Sequence, residues 1–147
     1  MSNYNLSKAG KVTRVMDSVT AGTSDQNSTN IDMQGFNSVL FITSFGVITS
    51  SAVTSVKLQT STDNSSFSDL LGSDITVADS DDTSMTVHDL AAPQERYIRL
   101  VVLRGTQNAI IDGSIALQYN AKAEPTTHDA TTVIASELHV SPARGTP

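Results

Sequence analysis

Short stretches in which polar and apolar residues alternate recur through most of the chain, and this pattern constrains the fold more than any other feature. Residues 53–62 show it clearly, with Val56 and Leu58 on one side and Lys57 and Gln59 on the other. A period of two residues is that of a strand with one buried and one exposed face. No window shows the 3.6-residue period of a capped amphipathic helix. The sequence therefore predicts an all-β chain.

Two of the predicted strands have further features. Residues 38–45 form a nearly continuous apolar run, which predicts a central strand covered on both faces. Residues 109–119 alternate so that Ile111, Ile115 and Leu117 are predicted to share one face with Gly113 and Tyr119, and a glycine in mid-strand indicates a β-bulge. The other strands are predicted at residues 11–16, 53–62 and 96–104, with shorter ones near residues 67, 75–77 and 85–87.

The segments between these strands are rich in Ser, Thr, Asn, Asp and Gly. Residues 62–66 are a turn from which Phe67 is expected to return to the core, and residues 20–30 are expected to be a surface loop. About eight short strands separated by such turns predict an antiparallel β-sandwich, with a jelly roll as the first choice and an immunoglobulin-like topology as the alternative. Residues 11–120 are assigned to this domain, residues 1–10 to an extended N-terminal arm and residues 121–147 to an extended C-terminal arm.

The charge of the chain limits the classes of partner that it is expected to bind. The formal net charge is −6, and the nine basic residues are scattered. Because proteins draw most of their nucleic-acid affinity from clustered Lys and Arg, no nucleic-acid partner is expected. No stretch approaches the 18 or so consecutive apolar residues of a membrane span, and the N-terminus has no apolar signal-like region. We therefore expect no membrane partner and synthesis in the cytoplasm.

The residues that usually carry chemistry form no recognisable site. The chain has no cysteine, and His88, His128 and His139 are too far apart in sequence for a two-histidine metal motif. No Ser lies in a G-x-S-x-G elbow, and the segment Asp79-Ser80-Asp81-Asp82 is not followed by the glycine and glutamate of an EF-hand. His88 is expected to be exposed at a strand end. We expect no catalytic residue, cofactor or metal, and the chain is not expected to be an enzyme.

The C-terminal arm differs from an ordinary solvated tail. It has no strand or helix pattern of its own, yet it carries isolated apolar residues among Thr, Ser, Ala, Pro and Gly. These are too few for a core and too many for an inert tether, so a partner surface is expected to order them. The N-terminal arm has two similar residues. The predicted contact residues are Tyr4, Leu6, Val133, Ile134, Leu138, His139 and Val140.

Part of the chain resembles the discoidin-like, galactose-binding jelly rolls. The resemblance rests on residues 56–67, VKLQTSTDNSSF, followed later by residues 96–100, RYIRL. It covers less than a third of the chain. In that family these residues form a hairpin turn and a strand that crosses the core, so the resemblance implies a fold and not sugar binding.

A larger part of the chain is similar to small structural proteins encoded with the head genes of tailed bacteriophages. The similar segments are residues 32–36 (DMQGF), 45–49 (FGVIT), 104–109 (RGTQNA) and 135–143 (ASELHVSPA). This resemblance implies a head decoration, or cement, protein: a small jelly-roll sandwich, often trimeric, that lies on the outside of the capsid and stabilises contacts between major capsid subunits.

The expected function is therefore that of a virion structural protein on the capsid surface, synthesised in the host cytoplasm. Its expected partners are the major capsid protein and two further copies of the chain. The alternative is a carbohydrate-binding jelly-roll module that attaches to host glycans. Aromatic residues are 5% of the chain and tryptophan is absent, which favours the first function, because sugar-binding surfaces usually stack sugars on aromatic rings.

Overall fold

The alternating segments form eleven strands in this computed structural model, which describes residues 5–141 and 143–146. One helical turn, α1 (Leu6–Ala9), precedes them. The strands are β1 (Lys11–Met16), β2 (Val19–Gly22), β3 (Gln26–Asn27), β4 (Ile31–Asp32), β5 (Phe36–Ile48), β6 (Val53–Ser61), β7 (Ser68–Asp69), β8 (Ile75–Val77), β9 (Met85–Ala91), β10 (Tyr97–Gly105) and β11 (Ala109–Ala121). No helix among the described residues has the length and apolar character needed to cross a membrane.

Two antiparallel sheets pack face to face, which confirms the predicted sandwich. The first sheet has the order β1-β11-β5-β9, and β2 extends the edge formed by β1. The second has the order β3-β10-β6-β7, with β4 beside β10 and β8 beside β6. The short strands β1 and β2 share one position in the sandwich, as do β3 and β4, and β7 and β8, which leaves eight positions in chain order. The first position pairs with the eighth, the second with the seventh, the third with the sixth and the fourth with the fifth. This nested pairing is that of a jelly roll.

The core lies between the inward faces of the two sheets. Phe41 and Phe45 of β5 are its largest enclosed side chains. Burial of each such side chain contributes about 1.5–3 kcal/mol, so this layer supplies most of the driving force for folding. Other enclosed members are Val39 of β5, Val56 of β6, Ile98, Leu100 and Val102 of β10, and Ala109, Ile111 and Ala116 of β11.

A bulge at Gly113 exchanges the two faces of β11. The register with β5 shifts between Ile111 and Gly113, and Gly113 has a φ of 141°, which favours glycine. The predicted bulge is confirmed, but the prediction of one shared face is wrong. Ile111 points inward, whereas Ile115 and Leu117 lie on the outer surface.

The central strand β5 also has apolar side chains on its outer surface. β5 is central in the first sheet, as predicted, but it is covered on one face only. Leu40 and Ile42 point away from the core and are only half-buried, because no second layer of the described chain lies over this side. The apolar run therefore supplies both a core and an outer apolar surface.

Residues 20–30, predicted to be a loop, contain β3 and most of β2, and β4 follows directly. Arg104 on β10 is only 5% exposed, and its hydrogen bonds hold this region in place. Its Nη1 donates to the carbonyl oxygens of Thr20 at 2.9 Å and Ala109 at 2.7 Å, and its Nε donates to that of Ser24 at 2.8 Å. The short strands therefore depend on a buried side chain and on edge pairing rather than on an apolar period of their own.

The turn after β6 is organised by Asp63. Its Oδ1 accepts hydrogen bonds from the backbone N–H groups of Ser65 at 2.9 Å and Ser66 at 2.7 Å, and Asn64 adopts the left-handed conformation at φ 60°. These bonds, with the one from Ser66 the largest cause, lower the pKa of Asp63 to about 2. The predicted turn chemistry is thus confirmed.

The expectation that Phe67 enters the core is wrong. Phe67 is half-buried, and the guanidinium carbon of Arg99 lies 4.2 Å from the centre of its ring. The two side chains therefore form a cation–π contact on the outer face of the second sheet.

Arg104→Met is expected to lower the free energy of unfolding by about 2–4 kcal/mol, because the carbonyl oxygens that Arg104 serves lose their buried donor. Arg99→Met is the matched control on the same strand, since Arg99 faces outward, and a loss of about 1 kcal/mol or less is expected there. Urea unfolding at pH 7 measures both. Equal losses for the two variants would show that Arg104 has no special structural role.

A titration of the carboxyl carbon of Asp63 by NMR is expected to give a midpoint near 2 in the folded protein. Since this pKa is lower than that of an unfolded aspartate, the turn contributes stability above about pH 4 and loses it as pH falls towards 2. The stability difference between the natural protein and Asp63→Asn should therefore shrink over that interval. A midpoint near 4 would contradict the arrangement.

Candidate functional site

The first part of the C-terminal arm lies along the edge of β1 that faces away from β11. The backbone N–H of Thr126 donates to the carbonyl oxygen of Lys8 at 2.8 Å, and its hydroxyl donates to that of Gly10. Two residues on, the backbone N–H of Val12 donates to Nδ1 of His128 at 2.9 Å. The tail thus begins to cover a strand edge whose backbone groups face no other strand.

The same edge is covered further along by a compact turn. The backbone N–H of Asp129 donates to the carbonyl oxygen of Val12 at 3.2 Å, and the N–H of Arg14 donates to Oγ1 of Thr132 at 3.1 Å. The Asp129 carboxylate accepts from the hydroxyls of Thr132 and Thr131, both at 2.7 Å, and these bonds lower its pKa. We call residues 126–133 the docked segment.

The docked segment ends in an apolar contact. Val133 is half-buried and lines a shallow cavity of about 340 Å³ together with Leu6, Val12 and Leu117. Two of the predicted contact residues, Leu6 and Val133, are therefore brought together by the chain's own fold. Leu6 keeps 63% of its surface exposed.

Beyond Val133 the large apolar side chains among the described residues of the arm project into solvent, while Ala135 and Ser136 still border the cavity beside Leu6. We call residues 134–146 the distal segment. Ile134 is fully exposed, Val140 is 89% exposed and Leu138 is 46% exposed. His139 is also exposed, and its Nε2 lies 2.9 Å from a carboxylate oxygen of Glu137. The contact of these four residues with a partner stays a prediction, and Tyr4 lies outside the described residues.

Sequence reasoning missed the polar residues that dock the arm. Thr126, His128 and Thr132 stand at even spacings, and each places a hydrogen-bonding side chain or backbone group against β1. Their even spacing was a signal, but it has no apolar periodicity and is hidden in a segment rich in Thr and Ala.

A second feature that the sequence did not reveal is apolar surface on the outer side of the first sheet. The register aligns Ile115 of β11, Ile42 of β5 and Val87 of β9 in one row across three strands. Val87 is 54% exposed, Ile115 is 41% exposed, and Met85 beside them is 65% exposed. We call these four residues the outer apolar face. It exists because β9 directs Met85 and Val87 outward and because of the bulge in β11.

The histidine of β9 occupies the opposite side. His88 is only 7% exposed, and its Nε2 lies 2.7 Å from the carbonyl oxygen of Ser73. The expectation of an exposed strand-end histidine is wrong, since Thr86, His88 and Leu90 form the inward side of β9, whereas Met85 and Val87 face outward.

The acidic loop between β8 and β9 uses its carboxylates for local structure. Asp82 accepts a hydrogen bond from the backbone N–H of Ile48 at 2.6 Å, and Asp79 accepts one from that of Ser51 at 2.6 Å. Asp81 bonds the N–H of Ala78 within the loop at 2.9 Å. Across the described part of the chain, no three His, Asp or Glu residues are grouped so that they could hold a metal ion.

One polar cleft of about 440 Å³ lies between residues 33–37, which lead into β5, and the loop at residues 92–96. Arg96 borders it and is held by a two-point ion pair with Asp32, with both N–O distances 2.8 Å. This ion pair lowers the pKa of Asp32. Gln34 accepts a further bond from Arg96 at 2.6 Å, so the cleft has a fixed polar wall.

The fold is similar to the one seen in the crystal structure of PBSX exported protein XepA. The TM-score is 0.54 and the sequence identity 16% over 99% of this chain, which spans 44% of that protein. At this identity the likeness shows a shared fold. No family model matches the chain, and no curated protein matches its sequence.

Thr132→Val is expected to loosen the docked segment, because valine can neither accept from the Arg14 N–H nor donate to Asp129. Amide exchange of Arg14, followed by NMR, should become about fivefold faster, corresponding to about 1 kcal/mol for one hydrogen bond. Thr131→Val is the control, since it removes a donor to Asp129 and leaves the bond to Arg14 in place. Unchanged exchange in Thr132→Val would show that the segment is not held at this edge.

Proposed function

We propose that this chain is a structural protein of a bacteriophage particle that decorates the outside of the capsid and stabilises contacts between major capsid subunits. The observation that carries the proposal is the division of the C-terminal arm. Its docked segment is fixed to β1, while its distal segment presents Ile134, Leu138 and Val140 to solvent. A cement protein requires such a reach from a folded body to a neighbouring subunit.

An arm that is fixed to the sandwich at one end is well suited to this role. The docked segment sets where the arm leaves the sandwich, so fewer conformations are lost when the distal segment binds. From Ile134 to Thr146 the arm has thirteen residues, which extend to about 43 Å at 3.3 Å per residue. Copies bound side by side on a lattice multiply weak contacts, so modest apolar anchors suffice.

Further support comes from the fold and the charge. The jelly-roll sandwich is the fold that the resemblance to phage head proteins implies, and the structural similarity to XepA points in the same direction. The proposed partners are the major capsid protein and two further copies in a homotrimer. Nucleic acid is not a proposed partner, since the net charge is −6, and no membrane partner is proposed. The proposed role uses the virion surface and no catalytic group.

The polar cleft beside Arg96 favours a second candidate function, that of a carbohydrate-binding module for attachment to host glycans. The amide side chains of Gln34, Asn37 and Gln94 line it and can bond sugar hydroxyls, and Phe36 offers one aromatic ring. A glycan array with the purified protein separates the two candidates. Saturable sugar binding that Asn37→Ala removes would favour attachment, whereas the cement role predicts no such binding.

The test of the cement role is a triple substitution of the distal segment: Ile134→Ser, Leu138→Ser and Val140→Ser. Heads prepared without this protein are mixed with the variant, and bound copies per head are counted on quantitative gels. We expect at least tenfold weaker binding, because three apolar anchors are lost while the docked segment remains. Bound heads should also lose their added heat resistance.

The matched control replaces three other exposed apolar residues: Val47→Ser, Val53→Ser and Leu71→Ser. These side chains are 58%, 66% and 101% exposed, and they lie outside the arm. Full occupancy is expected for this control. Equal occupancy by both triple variants would rule out the distal segment as the anchor.

A further inference from the structure

The two edges of the first sheet are treated differently by the chain. The β1 edge is covered by the docked segment, whereas β9 forms the opposite edge and pairs with no strand of the described chain other than β5. An open strand edge is a template for pairing with another chain unless charges, prolines or a covering segment protect it. β9 has seven residues, no proline, exposed apolar side chains at Met85 and Val87, and one exposed charge, Asp89, whose carboxylate accepts a hydrogen bond from the Tyr119 hydroxyl.

The hydrogen bonds to β5 define which backbone groups of β9 are available. Ser84 accepts from Phe45 at 2.9 Å and Ala92 donates to Asn37 at 2.7 Å, one at each end of the strand. In an antiparallel pair only every second residue directs its N–H and C=O to the partner. The residues whose backbone groups therefore face the open edge are Met85, Val87, Asp89 and Ala91.

The distal segment has the features of a strand that lacks a sheet. Ile134, Leu138 and Val140 are separated by even numbers of residues, so an extended chain places them on one face with Ser136. Residues 134–140 match the seven residues of β9 in length. Glu137 is the only formally charged side chain within residues 134–140, and the base Arg144 follows four residues later.

We propose that residues 134–140 of one copy add as a strand to the β9 edge of a second copy. The backbone groups of β9 would then find partners, and Ile134, Leu138 and Val140 would extend the outer apolar face beyond Met85 and Val87. Backbone bonds supply affinity in such strand addition, and the alternating side chains supply the register. This contact involves two copies of this chain alone and can be tested without a capsid. Where it forms, residues 134–140 link neighbouring copies of the chain and do not reach the major capsid protein.

The geometry makes the contact head-to-tail. The arm leaves the sheet at β1, and the receiving edge is β9 on the other side of β11 and β5. Each copy therefore gives one strand and receives one. Such contacts close into a ring when the rotation between copies permits and otherwise form an open chain. Three of them would close the homotrimer proposed above.

Cysteine cross-linking tests the proposal on the full chain, because the natural sequence has no cysteine. Val87→Cys protein is mixed with a mass-tagged copy that carries one cysteine at position 134, 136, 138 or 140, and the mixture is oxidised. We expect the even position that stands opposite residue 87 to give disulfides between different copies in at least tenfold higher yield than cysteine at 135, 137 or 139, because a disulfide bridges only closely opposed residues. Val53→Cys on the other sheet replaces Val87→Cys as the control and should give the low yield throughout.

Two results would overturn the proposal. One is an equal yield at odd and even positions, which means that the distal segment does not pair as a strand. The other is an intrachain disulfide in the double variant Val87→Cys, Leu138→Cys that forms equally well on hundredfold dilution, which means that the arm returns to its own sheet.

A backbone variant gives an independent readout. Val87→Pro removes an N–H that faces the open edge and leaves the β5 bonds in place, so oligomers seen by sedimentation should become at least tenfold weaker. Val87→Thr keeps the N–H and is the control. Equal association of the two variants, with the fold of each checked by circular dichroism, contradicts strand addition. If the proline variant is unfolded, the cross-linking pattern decides.

Discussion

The ladder between β5 and β11 is the interaction on which the rest of this structure depends. Both strands have thirteen residues, and every other strand of the first sheet attaches to one of them. The bulge at Gly113 within this ladder decides which side chains of β11 enter the core. A side chain at that position would meet the carbonyl oxygen of Met16 at 3.0 Å, so the close passage of the chain there requires glycine.

A sheet built around this ladder has two edges with unpaired backbone groups, and the arm covers one of them. Such groups need partners. The docked segment meets this need at β1 through His128 and Thr132. At β9 the described chain offers nothing comparable. The arm is thus docked in its first half and free in its second half, and the sheet is covered at the β1 edge and open at the β9 edge. This asymmetry is expected of a subunit that joins to its neighbours.

Predictions from the sequence agreed with the structure where a feature depends only on residues that are close in sequence. The alternation of residues 53–62 and the turn at Asp63 were predictable, because period and turn chemistry act within a few residues. The faces of β11, the position of Phe67 and the burial of His88 were not, since each depends on which neighbour packs against it. The candidate site divided in the same way: apolar anchors were visible in the arm, whereas the polar docking contacts join residues more than a hundred positions apart.

By itself the sequence determined the strand-forming segments, the sandwich and the presence of an arm with unburied apolar residues. These properties rest on local periodicity and on composition, which any partner surface leaves unchanged. Tertiary structure alone decided that the arm is half docked, that Ile115 and Val87 lie in one outer row, and that β9 is an open edge. The reason is physical: an edge or a face exists only after distant strands have paired, and the pairing order is set by the packing of the whole chain.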